Sequence, residues 1–281
     1  MWISSDPRSH IQATGRDVRG RKQYRYHLRF RAHREEAKFE QLVQFGERLG
    51  PLRRQLSRDL SLSGLPRERV TAVVVRLMEQ TYIRVGNEEY ARSNRTYGLT
   101  TLRDRHVTFG RGEIKIRYQG KGSKLHEVAC TDPRLCRLVR RCQDLPGQQL
   151  FQWLDGDGAR HPLSSGDVND YLRQVTGIDA TAKTFRTWGA SVFAAAGLAT
   201  VDQPDVSDRQ RTQLVNRAIE LVSDVLGNTP AVCRRSYVHP VLIDRFLEGR
   251  LAQRWNEGPA RPAGGLLAEE RRLLHVLRAR A

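Results

Sequence analysis

From Ala32 onward the apolar residues recur at helical spacing. Phe39, Leu42, Val43, Phe45 and Leu49 fall on one face of a predicted helix, and Pro51 predicts the first turn of another. Pro66 predicts a further start, for a helix running to about Arg84 with Val70, Val73, Val74, Leu77 and Ile83 inward and Gly86 at its end. Between His106 and Cys130 the period falls to two. Residues 106–109, 113–119 and 125–130 read as short antiparallel strands, with turns at 110–112 and 120–124. Helical spacing returns at 133–143, 165–176, 182–196, 207–226, 230–237 and 240–248, with Ser164 or Ser165 and Ser207 as candidate N-caps. A Pro/Gly-rich stretch at 258–265 precedes a last helix at 266–280. Leu267, Leu273, Leu274 and Leu277 mark its apolar face, and its early Glu269 and Glu270 suit the helix dipole. The expected fold is mainly α with a small antiparallel β-sheet, an α+β architecture.

Residues 1–31 follow another pattern. They are rich in Arg, Gly and aromatics, with strand-like fragments at 2–4 and 23–31 and an exposed basic turn at 15–22. The segment is too short to bury a core of its own. The chain divides into 1–31, a main domain at 32–255, and a linker with the C-terminal helix at 256–281.

Composition adds a partner. Among 281 residues, 48 Lys and Arg face 31 Asp and Glu, a net charge of +17 and a pI near 10.5. Such a balance favours polyanions, through phosphate contacts and counterion release. No apolar run approaches the ~18 residues of a membrane span, and residues 1–7 lack the apolar stretch of a signal peptide. A cytoplasmic, nucleoid-associated protein is expected. Cys130, Cys136 and Cys142 are spaced by six, which is neither CxxC nor a zinc spacing, and they read as packing residues. Asp155-Gly-Asp157-Gly lacks the carboxylate at the twelfth position of a calcium loop and reads as a turn.

Three cations and a tyrosine carry candidate chemistry. Tyr237 follows Arg234 and Arg235, and nearby cations favour a phenolate, the form a nucleophile needs. Arg186 heads the small, apolar segment 191–197, so it needs an anionic partner. That partner is either an internal carboxylate, with Asp179 and Asp202 at hand, or a ligand. Arg84 ends a predicted apolar helix, where it either complements the dipole or clamps a phosphate. Lys121 sits in the glycine-flanked turn 120–124, either as a solvated charge or as a proton donor to a leaving oxygen.

In combination these residues resemble the type IB DNA topoisomerases of the bacterial and poxvirus branch, over about residues 2–250. Arg84-Val-Gly-Asn with Tyr97-Gly-Leu-Thr-Thr-Leu resembles the family's first arginine box, and the strands around Lys121 resemble its lysine hairpin. Lys183-Thr-Phe-Arg186-Thr resembles the KxxR box, and Leu226-Gly-Asn228-Thr-Pro followed by Ser236-Tyr237 resembles the nucleophile region. The resemblance implies a DNA breaking-rejoining fold acting as a monomer on duplex DNA, without metal, ATP or another cofactor. It implies that Tyr237 attacks the scissile phosphodiester to form a 3′-phosphotyrosyl link. Arg84 and Arg186 would stabilise the charge of the transition state, Lys121 would protonate the 5′ oxygen, and Asn228 would bond a non-bridging oxygen. Gln23, Tyr24 and Tyr26 match DNA-contacting positions, and Arg21, Lys22, Lys124 and Lys183 are expected at DNA with them.

Two departures stand out. Many members have histidine where this chain has Asn228. Members also carry a longer N-terminal lobe, so residues 1–31 read as a truncated remnant of a β DNA clamp. Two other readings stay open. A tyrosine recombinase shares the tyrosine and arginines but usually has histidine where Lys183 stands. A catalytically silent relative would bind DNA and form no adduct.

Overall fold

The computed structural model describes residues 1–18, 20 and 22–278. Two units divide the chain, Met1–Val43 and Gln44–Ala281.

In the first unit, β1 (Trp2–Ile3), β2 (Ile11–Arg16) and β3 (Lys22–Tyr26) form an antiparallel sheet in that order. The expected strand at 23–31 stops at Tyr26. His27 ends it by accepting the Arg29 N–H at Nδ1, 3.1 Å, which opens helix α1 (Leu28–Asp59) four residues before Ala32. Helix α1 continues without a break past Pro51, where the sequence predicts a new start. A proline inside a helix costs about 3 kcal/mol; here Leu49, Leu52 and Leu56 on either side of it are fully buried and hold the helix together.

In the second unit, α2 (Arg67–Thr81) is the central helix. Val70, Ala72, Val73, Val74, Val75, Leu77 and Met78 are all buried, so it has no solvent face of any width. It ends three residues before Arg84, because Tyr82 takes the left-handed C-cap conformation at φ 53°. Ile83 and Arg84 therefore lie outside the helix, in an irregular segment followed by α3 (Glu88–Asn94), which Asn87 caps. The period-two region forms the expected sheet, with β4 (Val107–Phe109), β5 (Ile114–Gln119) and β6 (Leu125–Cys130) in order. Its register pairs Tyr118 with His126 and Gln119 with Leu125. Helix α4 (Pro133–Gln143) follows, then a hairpin of β7 (Gln152–Leu154) and β8 (Arg160–Pro162). Asp155 closes that hairpin as a turn, accepting the Asp157 and Ala159 N–H groups and meeting His161 at 2.7 Å.

Helices α5 (Ser165–Thr176) and α7 (Asp208–Leu226) carry Ser164 and Ser207 as N-caps. Between them runs α6 (Ala182–Val201), longer than expected. The short α8 (Pro230–Ser236), α9 (Pro240–Leu247), α10 (Leu251–Glu257) and α11 (Ala268–Arg278) complete the chain. Helix α6 packs on α2, α7, α9, α10 and α11. The predicted end of the last helix, beyond Arg278, lies outside the described residues. Glu270 does more there than complement a dipole. Its buried carboxylate takes both terminal nitrogens of Arg53, 2.7 Å each, and the Trp188 indole N–H, 3.2 Å. The four cysteines are free, with Cys136 half-buried and the others buried. Among the described residues no helix is long and apolar enough to cross a membrane.

Candidate active site

Helix α7 ends at Leu226, and Gly227 turns the chain left-handed, at φ 59°. That turn frees the carbonyls of Leu226 and Gly227, and both receive arginines. Arg186, one turn into α6 and 3% exposed, donates through Nη2 to Leu226 O at 2.7 Å and through Nη1 to Tyr82 O. Its two terminal nitrogens are thus held by main-chain carbonyls at the C-terminal ends of α7 and α2. Arg84 donates through Nη2 to Gly227 O at 3.1 Å and to the Asn228 side-chain oxygen. The Arg84 backbone is fixed as well, since its carbonyl accepts the Leu99 N–H at 2.9 Å, while the Tyr97 N–H reaches Gln119 O at 2.7 Å, at the end of β5.

Neither carboxylate suggested by the sequence holds Arg186. Asp202 pairs with Arg211, and Asp179 with Arg173 at 2.9 Å. Among the described residues no ion pair with a carboxylate involves Arg84 or Arg186. Two guanidiniums therefore share one pocket without a counter-charge. Burial holds Arg186 below its ordinary pKa, Arg84 adds to that, and the neighbouring Tyr237 opposes it.

Tyr237 caps the C-terminus of α8 and is half-buried. Its ring centroid lies 5.4 Å from the Arg186 Cζ and 5.9 Å from the Lys183 Nζ, one turn earlier on α6. Ser191, fully buried on the same helix, fixes the tyrosine's backbone. Its hydroxyl donates to Tyr237 O at 3.2 Å and accepts the His239 N–H at 3.1 Å.

Four expected residues thus meet: Arg84, Arg186, Asn228 and Tyr237. Lys121 does not join them. It is exposed at the tip of the β5–β6 hairpin, and among the described residues no hydrogen bond or ion pair links it to the four. Lys124, at the end of the same tip, is exposed, and Lys183 is exposed beside the tyrosine. In the first unit, Tyr24 and Tyr26 stack at 6.0 Å on one face of β3, with the Lys22 ammonium 5.2 Å from the Tyr24 ring. Gln23 falls on the other face and bonds Asp17 at 3.1 Å. Arg21 lies outside the described residues.

Sequence reasoning missed Tyr118 and His126. They are cross-strand partners at the base of the lysine hairpin, stacked with centroids 5.3 Å apart. Burial pushes Tyr118 up to about 12, although Arg84 and Arg186 pull it down. Burial, then Arg84, Arg186 and Lys124, hold His126 below its ordinary value. The available signal was parity, since His126 shares the inward face of β6 with Val128 and Cys130. Three buried atoms here have no hydrogen-bond partner: Arg186 Nε, Asn228 Nδ2 and His126 Nε2.

Comparison with known proteins gives a consistent picture. A family model described as the catalytic core of eukaryotic DNA topoisomerase I matches residues 27–250. The chain is 30% identical over 244 residues to the DNA topoisomerase 1B of Acanthamoeba polyphaga mimivirus, covering 85% of this chain and 73% of that one. It is 24% identical over 234 residues to the DNA topoisomerase I of Monkeypox virus, covering 82% and 70%. To the DNA topoisomerase 1 of Mycosarcoma maydis it is 25% identical over 244 residues, covering 78% of this chain and 24% of the fungal one.

Proposed function

The chain belongs to the type IB DNA topoisomerases, in the branch of the viral enzymes, and from that premise we propose that Tyr237 is its nucleophile and that the pocket around Leu226–Asn228 binds the scissile phosphate. One observation carries this reading. The half-buried Arg84 and the buried Arg186 share the pocket without a carboxylate, and two unpartnered buried N–H groups, Arg186 Nε and Asn228 Nδ2, lie among them. Unsatisfied buried donors cost about 1–3 kcal/mol each, and two uncompensated charges cost more. A phosphodiester, one negative charge with two non-bridging oxygens, answers both needs.

The Tyr237 hydroxyl gives up its proton to solvent as its oxygen attacks phosphorus, and the bond to the 5′ oxygen breaks. The phosphate stays on the 3′ oxygen, now as a tyrosine ester. Arg84 and Arg186 hold the extra charge of the transition state, which is electrostatic catalysis by preorganised donors. Asn228 donates to a non-bridging oxygen, oriented for it because its own oxygen already accepts from Arg84. Lys121 protonates the departing 5′ oxygen once the hairpin tip, turned at Gly122, closes on the bound duplex. While the 3′ end is held, the other end rotates and supercoiling relaxes. The 5′ hydroxyl then attacks the tyrosine ester, so one bond replaces another at each step without ATP. One chain supplies every group, so a monomer suffices, acting in the cytoplasm at the nucleoid. Lys183 and Lys124, exposed beside the pocket, contact flanking phosphates. Lys22, Tyr24 and Tyr26 offer the duplex a cationic and aromatic strand face, with Gln23 at its margin.

The test is relaxation of supercoiled plasmid in EDTA without ATP, with covalent adducts trapped by detergent. Wild type should relax the plasmid and form the adduct. Tyr237→Phe should do neither, yet still bind duplex DNA. Relaxation by Tyr237→Phe would reject the assignment.

A further inference from the structure

We propose that His126 is a positioning residue, seating the hairpin that carries Lys121 against the turn that carries Asn228 and so setting where the lysine ammonium meets the leaving oxygen. The proposal rests on reading Lys121 as the proton donor. One face of the imidazole stacks on Tyr118, its cross-strand partner, with planes 16° apart. The ring edge fills a slot between two glycines from distant parts of the chain. A β-carbon at Gly120 would lie 2.5 Å from the His126 Cδ2, and one at Gly227 would lie 2.2 Å from its Cε1. Real β-carbons do not approach so closely, so the ring fits only because both positions lack a side chain.

The two sides of this slot are the parts that catalysis has to align. Gly120 immediately precedes Lys121. Gly227 O and the Asn228 side chain hold Arg84, and Leu226 O holds Arg186. The ring therefore sets the distance between the hairpin and the arginine pocket. No hydrogen bond at Nε2 shares that task, since this nitrogen is buried and unpartnered. Packing against Tyr118, Gly120 and Gly227 remains. A neutral ring suits the place, because Arg84, Arg186 and Lys124 are the charges that bear on it and all three are positive.

The experiment uses single-turnover cleavage of two suicide duplexes. One has an ordinary phosphodiester and the other has sulfur in place of the 5′ bridging oxygen. A thiolate leaves without a proton, so the second substrate needs no general acid. On the ordinary duplex His126→Ala should slow cleavage on the order of 10²-fold, the scale for a catalytic group misplaced by about 1 Å. On the sulfur duplex both His126→Ala and Lys121→Ala should return to within a few-fold of wild type. A second variant probes the slot without removing the histidine. Gly120 has an ordinary backbone conformation, φ −95°, so Gly120→Ala leaves the chain path allowed and pushes the ring aside. It should slow cleavage of the ordinary duplex when His126 is present and add nothing in the His126→Ala background, the non-additivity of two changes to one contact.

If Lys121→Ala is rescued by sulfur and His126→Ala is not, the histidine acts elsewhere and the inference fails while the lysine reading stands. If Lys121→Ala is not rescued, the lysine reading fails and the inference with it. Wild-type cleavage of the ordinary duplex by His126→Ala, or additive slowing by Gly120→Ala, also overturns the inference.

Discussion

Replacing Arg186 by alanine separates a catalytic arginine from a structural clasp. The side chain joins the C-terminal ends of α2 and α7, through Tyr82 O and Leu226 O. Its loss leaves two carbonyls without donors, at about 1–3 kcal/mol each where water cannot reach them. Part of that cost is offset, because a buried charge beside Arg84 disappears with it. The net loss of stability should therefore be a few kcal/mol at most, visible as a lower urea midpoint. The rate should suffer far more. Removing one preorganised donor from a developing oxyanion costs on the order of 10²–10³-fold, and here a full positive charge goes too. Detergent-trapped adduct, followed over time at saturating enzyme, reads that rate apart from affinity. DNA binding should weaken modestly, with the salt slope reduced by about one charge. Arg186→Lys restores the charge without the planar fork and should fall between the two. Refutation is simple: a folded Arg186→Ala protein, measurably less stable, that forms adduct within about tenfold of the wild-type rate. The arginine would then be only a clasp.

Three further outcomes are expected. Ser191→Ala removes the fully buried hydroxyl that donates to the Tyr237 carbonyl and accepts the His239 N–H, so adduct formation should slow while DNA affinity holds; an unchanged rate would show that the tyrosine backbone needs no anchor. Glu270→Ala strands Arg53, whose remaining carboxylate is Glu79 at 2.6 Å. Breaking a buried pair costs about 3–5 kcal/mol, the surviving partner places this change at or below the lower end, and urea unfolding measures it. The His106 imidazole is held down to about 4, from 6.5, by burial first and then by Arg105 and Arg103. The unfolded chain takes up a proton that the fold refuses. The His106 contribution to stability should therefore be full above pH 6.5 and be lost as the pH drops toward 4; in His106→Gln the slope over that window should be shallower, with His126 supplying what remains.

How much of this was legible in the sequence depends on which groups carry the information. The lysine hairpin was readable because its strands alternate strictly, with Ile114, Ile116 and Tyr118 buried and Lys115, Arg117 and Gln119 exposed. Strand β2 was not, since five of its six residues are half-buried and none is a clear inside position. Helix α3 was missed for a similar reason, with Ala91 its one buried residue. Pro51 misled because local chemistry favours a helix start there, and only the burial of Leu49, Leu52 and Leu56 overrides it. The seat of His126 against Gly227 joins positions about a hundred residues apart, and a glycine announces no partner.

The partner of Arg186 shows the same limit at the centre of the site. A search of the sequence for something to neutralise a buried arginine goes to carboxylates, hence Asp179 and Asp202. The partners are instead the carbonyls of Tyr82 and Leu226, which every residue type possesses and no sequence distinguishes. They became acceptors because two helices end where they do, one of them through a tyrosine in the left-handed conformation. The difference matters for function. A carboxylate would have cancelled the charge, whereas a carbonyl satisfies the N–H groups and leaves the charge intact. Two arginines held by carbonyls can be preorganised in the fold and still carry their full positive charge to an incoming phosphate.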